Sequence, residues 1–130
     1  VSRPTLRSSA PWRVLEGFGG AQRAASLHAR PRDVEELAAL LARARDEGVP
    51  VSFRGSGRSY GDASLNTGGL AVDVRGMDRV QSFDRGTGIA DLDPGVSIEG
   101  LWRAALPHGF WPAVVPGTMF PTMGGCVAMN

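Results

Sequence analysis

The sequence has 130 residues, 42% hydrophobic and 21% charged, which suits one globular domain with one core. Its formal net charge of +1 excludes strong general attraction to nucleic acid or to an anionic membrane surface. No apolar run approaches the roughly 18 residues of a membrane span, and a single cysteine, Cys126, excludes an internal disulfide.

All 14 basic residues are arginine, which beside so much alanine and glycine reads as coding bias rather than a phosphate-binding surface. The opening ten residues lack the apolar core of a secretory signal, so the expected compartment is the cytoplasm. The chain opens on Val1 and stops at Asn130 inside the first turns of an expected helix, which reads as a fragment of a longer protein.

Residues 1–23 read as an irregular lead-in, and 24–130 as the N-terminal part of a domain truncated on its C-terminal side. A strand is expected over Ala24–Ala29. Pro31, Arg32 and Asp33 then open a helix whose apolar stripe is Val34, Leu37, Ala38, Leu41 and Ala44, with Gly48 closing it. Val49–Phe53 and Leu70–Val74 read as strands. Val80–Asp84 and Ile89–Asp93 flank Arg85–Gly88 as a hairpin. Ser97 caps a helix presenting Ile98, Leu101, Trp102 and Ala105, which Pro107 and Gly109 stop. Phe110–Val115 reads as extended, Pro116-Gly117-Thr118 as a turn, and Thr122 as the cap of a third helix from Met123. This order predicts an α+β fold.

The densest signal is the stretch FRGSGRSYGD, residues 53–62, where glycines that free the backbone alternate with arginines that suit anions. A chain without lysine cannot supply a Walker loop. A Rossmann fingerprint needs its third glycine one position earlier and a helix directly after the loop. The segment from Asp62 to Gly69 has no helical stripe. The remaining reading is a loop between strands whose own N–H groups cradle an anion. A second glycine loop, Pro116–Gly125, gives a helix start at Thr122 where Gly124 and Gly125 leave backbone donors open to a ligand. Two such loops suit a long ligand with phosphate in its middle.

The ordered motifs RGSGRSYGD, NTGGL, DPGV, ALPHGFWPAVVPGT and TMGG resemble the FAD-linked oxidases of the vanillyl-alcohol oxidase and p-cresol methylhydroxylase superfamily, nearest its sugar-oxidising members, from about Trp12 to Asn130. The resemblance implies the N-terminal part of a PCMH-type FAD-binding domain, with small mixed sheets packed with helices. It implies an oxidoreductase that oxidises a C–OH group on a sugar or polyol, acting together with a C-terminal part of the same protein that holds the catalytic residues. By the same resemblance Phe53, Arg54, Gly55, Ser56, Gly57, Arg58, Ser59, Tyr60, Gly61, Asp62 and Ala63 form the pyrophosphate loop. Gly117, Thr122, Met123, Gly124 and Gly125 form a second contact set, and Met129 and Asn130 begin a third. Several relatives carry a histidine aligned with Arg58 and bond it to the flavin. Guanidinium cannot serve as that nucleophile, so FAD is expected to be held noncovalently. Rival readings are a nicotinamide-dependent dehydrogenase and a nucleotide- or flavin-binding module without catalysis.

Other residues take structural readings. Side-chain contact of Arg54 or Arg58 with phosphate stays open against solvated surface charge, and Tyr60 stays open between core packing and flavin contact. Asn66 is expected to brace the loop by an Asx-type bond, and Cys126 to be a buried small residue. Neither His28 nor His108 has a partner at metal-ligand or triad spacing, so both read as structural and no metal is expected. Trp12, Trp102 and Trp111 read as core.

Overall fold

The computed structural model describes residues 4–129; Asn130 of the expected contact set and the first three residues of the lead-in lie outside the described residues. Helix α1 (Leu6–Ser9) precedes strand β1 (Trp12–Glu16), and β2 (Arg23–Ala29) comes after a tight turn. Helix α2 (Val34–Asp46) leads to β3 (Val51–Arg54), and a helix-free loop leads to β4 (Leu70–Asp73). These strands form one sheet in the order β1-β2-β4-β3, in which β1 runs antiparallel to β2 while β2, β4 and β3 are parallel. Strands β5 (Val80–Phe83) and β6 (Ala90–Leu92) make a separate hairpin, after which come α3 (Ile98–Ala105) and α4 (Met123–Met129). The class is α+β, as the sequence predicts. Among the described residues no helix is long and apolar enough to cross a membrane.

Local signals explain most elements. Asp33 caps α2 by accepting from the Glu36 N–H at 2.8 Å, and Ser97 caps α3 by accepting from the Gly100 N–H at 3.0 Å. Asp84 Oδ1 accepts from the N–H groups of Gly86 and Thr87 and turns the β5–β6 loop. The expected irregular lead-in is corrected. Residues 12–16 pair with β2 along five registered positions, and Leu6 is buried with Leu27, Ala44, Val49, Leu70 and Val72 in the core cluster. No apolar periodicity marks β1, because as an edge strand it leaves Trp12 and Val14 half or more exposed.

The stripe of α2 is also rotated from the expected one. Leu37, Leu40 and Ala44 meet the core, whereas Val34 and Ala38 face outward. Spacing alone fits either stripe, and the approach of β2, β3 and β4 selects between them. Phe110–Val115 forms no strand. Trp111 is exposed and stacks on the half-buried Trp102 at 6.1 Å, so neither it nor Trp12 is core. His108 lies on the ring of Phe83 at 5.5 Å.

Strand β4 is buried throughout and ends on Asp73, a carboxylate placed inside the sheet. Arg75 folds back on it with a bidentate pair at 2.8 and 2.6 Å and adds its own N–H at 3.1 Å. Burial alone would raise the Asp73 pKa; the Arg75 hydrogen bonds, side chain first, overcome it and hold the carboxyl below its ordinary value. His28 Nε2 lies 3.4 Å from the same carboxylate, yet burial dominates there and lowers the imidazole pKa, so His28 is neutral at pH 7. The cluster links β2 to β4.

Two outcomes are expected for the intact protein that carries this chain. In urea unfolding, Leu40→Ala should cost about 2 kcal/mol and Val34→Ala less than about 0.5 kcal/mol; equal losses would contradict the rotated stripe. Because the folded-state pKa of Asp73 is depressed, its contribution is present above the unfolded value near ~4 and is lost as pH falls through the folded value. Asp73→Asn should therefore be less stable at pH 7 and show a flatter stability profile on acidification below about pH 4, read by thermal melts across pH.

Candidate functional site

Parallel neighbours β3 and β4 start at the same end of the sheet, so the chain leaving Arg54 must travel back before it can enter Leu70. Residues 55–69 make that return as a loop without helix or strand. Among the described residues, the backbone N–H groups from Ser56 to Tyr60 donate to no protein acceptor. Gly57 sits at φ +67°, the left-handed conformation found in anion-binding turns.

Neighbouring segments clasp the first half of the loop. Arg54 donates to the Glu16 carbonyl at 2.7 Å and to Ser64 Oγ at 3.1 Å. Its guanidinium passes under Gly57, where an added Cβ would collide with it. Phe18 N–H donates to the Ser59 carbonyl at 2.9 Å, and the Phe18 ring meets Tyr60 edge-on at 5.2 Å. Asn66 braces the far end, but its Nδ2 donates to the Pro50 carbonyl at 3.0 Å instead of making a local Asx bond. The β1–β2 turn, expected to be irregular lead-in, is thus the main support of the glycine loop.

The second glycine segment is fastened to α3. Ile98 and Glu99 donate to the carbonyls of Pro121 and Met119 at 3.0 Å each, so the segment caps the open end of α3. Met123 N–H donates to Val96, Gly124 N–H to Pro94, and Gly125 N–H to Thr122 Oγ1. This corrects the expected anion site at the start of α4, because the donors of its first turn are already spent. The glycines there serve close packing: a Cβ on Gly124 would press on Pro94, and one on Gly55 would collide with Thr122 Oγ1.

That contact of Gly55 with Thr122 joins the two loops at the floor of a cavity of about 430 Å³. Of the expected residues, Gly55, Ser56, Gly57, Arg58, Ser59 and Tyr60 line one wall, and Thr122, Gly125 and Met129 line the other. Phe53 and Arg54 lie outside it, as do Gly61, Asp62, Ala63, Gly117, Met123 and Gly124. Tyr60 is 75% exposed at the cavity, which removes core packing as its role. The wall also contains Ser64, Pro116, Pro121 and Cys126, which the motifs alone did not assign. Cys126 was legible. Thr122, Gly125, Cys126 and Met129 fall at i, i+3, i+4, i+7, a single helical face. Cys126 is partly rather than fully buried, and burial raises its thiol pKa, so it stays protonated.

Chemically, the cavity offers one run of unspent N–H donors on the first wall and an uncharged helical face on the second. Among the described residues its lining has no carboxylate and no imidazole, and no cluster of His, Cys, Asp or Glu could hold a metal ion. Such a cavity can bind and orient a molecule that is anionic along one side; it holds no acid–base pair of its own.

Comparison with known proteins gives a consistent result. The family described as FAD binding domain matches residues 25–130. Decaprenylphosphoryl-beta-D-ribose oxidase of Mycolicibacterium smegmatis is 43% identical over 96 residues, 73% of this chain and 21% of that protein. L-gulono-1,4-lactone dehydrogenase of Mycobacterium tuberculosis is 35% identical over 72 residues, 55% of this chain and 17% of that protein. The structure of cholesterol oxidase from Brevibacterium sterolicum superposes with a TM-score of 0.82 at 17% identity, covering 100% of this chain and 27% of the other. The chain therefore spans about a sixth to a quarter of the length of these relatives.

Proposed function

Since the chain belongs to the FAD binding domain family, we propose that it forms part of the FAD site of an oxidoreductase that oxidises a C–OH group on a sugar or polyol. The observation that carries the cofactor assignment is the unspent N–H run from Ser56 to Tyr60, whose residues line the cavity. A pyrophosphate is the anion that such a run of donors suits, and a Cβ on Gly57 would meet the Arg54 guanidinium beneath the loop. The residues present fit the cofactor on these grounds. The substrate class is supported by two relatives named for sugar-derived substrates, a ribose and a gulonolactone.

In this reading Gly55 to Tyr60 hold the phosphates through backbone donors. Pro116, Pro121, Cys126 and Met129 supply the uncharged wall against which a flat ring system lies. Bound FAD supplies the acceptor for the two electrons of alcohol oxidation. Thr122, packed on Gly55, fixes the spacing of the two walls and hence the orientation of what lies between them. The cavity wall carries no imidazole, since His28 pairs with Asp73 and His108 stacks on Phe83. In this reading the attachment is noncovalent.

The intact protein should purify yellow, with flavin absorption in the blue. Gly57→Val should lose the flavin while keeping a cooperative melt, because a β-branched residue at φ +67° is strained and strikes Arg54. Normal flavin content in that variant would remove the loop assignment. Acid precipitation should release all flavin to the supernatant; colour retained in a washed pellet would contradict noncovalent binding.

A further inference from the structure

We propose that Arg58, which lines the cavity, is a positioning residue whose guanidinium, held between the rings of Phe18 and Phe120, latches the segment before α4 onto the first glycine loop. The guanidinium carbon lies 5.4 Å from the Phe18 centroid and 4.7 Å from the Phe120 centroid. These distances are within the range where a cation is drawn to an aromatic face. Among the described residues Arg58 has no carboxylate partner within 4 Å, so the rings are its principal contacts.

Both ends of the latch are themselves anchored. Phe18 is fixed to the loop by its N–H bond to the Ser59 carbonyl and by its edge contact with Tyr60. Phe120 is fixed by its chain neighbours Met119 and Pro121, whose carbonyls accept from Glu99 and Ile98 at the start of α3. Arg58 thus connects the β1–β2 turn and the first loop on one side with the α3–α4 unit on the other. The two walls are thus held together by Gly55 against Thr122 and by this stack. A ligand entering between two walls held apart at the correct spacing avoids the cost of ordering them, so the latch strengthens binding by preorganisation. Planar guanidinium suits a site between two faces, which a lysine ammonium does not fill equally.

The consequence for affinity rests on the FAD reading above; the latch itself does not, and two measurements on the intact protein separate them. In flavin-free protein, hydrogen exchange of residues 112–122 should quicken in Arg58→Lys and in Phe120→Leu, and stay at the wild-type rate in Phe120→Tyr, which keeps the ring. Unchanged exchange in both of the first two variants would overturn the latch whatever the cofactor. In FAD titrations monitored by flavin fluorescence, each of those two variants should bind about 5- to 10-fold more weakly, and their combination no more weakly than either alone. Phe120→Tyr should bind as wild type. Wild-type affinity in Arg58→Lys, or multiplying losses in the double variant, would show that Arg58 acts by charge on the ligand and overturn the proposal. Quickened exchange in the two variants, together with a wild-type protein that takes up no FAD, would sustain the latch and sink the cofactor reading alone.

Discussion

Everything in the cavity depends on one topological constraint: β3 and β4 are parallel neighbours joined without a helix. A crossover of that kind commonly buries its backbone in a helix on the sheet face. Here the return is made by residues 55–69 as irregular chain, and its N–H groups from Ser56 to Tyr60 find no protein acceptor. Other segments help to hold the loop in shape. Arg54 ties it to Glu16, Phe18 to Ser59, and Ser26 Oγ to the Asn66 carbonyl at 2.7 Å. Donors left unspent inside a loop fixed from outside are what an anion site requires.

The second wall is built on the opposite logic. The chain around Thr122 spends its hydrogen bonds on α3 and on the β6–α3 connection, leaving a rigid, uncharged helical face toward the cavity. Glycines occur on both walls but do different work. Gly57 shapes a donor-rich turn, whereas Gly55 and Gly124 let segments approach closely enough to fix the distance between the walls. One wall supplies attraction for charge and the other supplies shape. That division suits a ligand with a charged middle and a flat uncharged end, as in the family to which the chain belongs.

The arginines show the same division. Arg54 is drawn under the loop, where burial and then repulsion from Arg75 lower its pKa from the ordinary value, and its donors are satisfied by a carbonyl and a hydroxyl. Arg58, four residues on, stays at the surface between two rings. Identical side chains in one motif therefore brace the loop from beneath and tie it to the segment before α4.

By itself the sequence determined those features whose causes lie within a few residues of their effects. Asp33 and Ser97 cap helices they directly precede, Asp84 turns the hairpin it begins, and the lack of a stripe after Gly61 rules out a helix there. The ordered glycine motifs also carried the family resemblance, and with it the α+β class. Tertiary structure alone decided what depends on partners distant in the chain. Strand β1 has no amphipathic signature and exists because β2 offers an edge; the stripe of α2 turns to Leu37 and Leu40 because the sheet approaches from that side. Spacing could not reveal that the first-turn donors of α4 are consumed by Val96 and Pro94, nor that Arg54 would point to Glu16 while Arg58 met Phe120. A hydrogen-bond donor looks the same in sequence whether spent or free. Only the folded positions of its acceptors decide which it is.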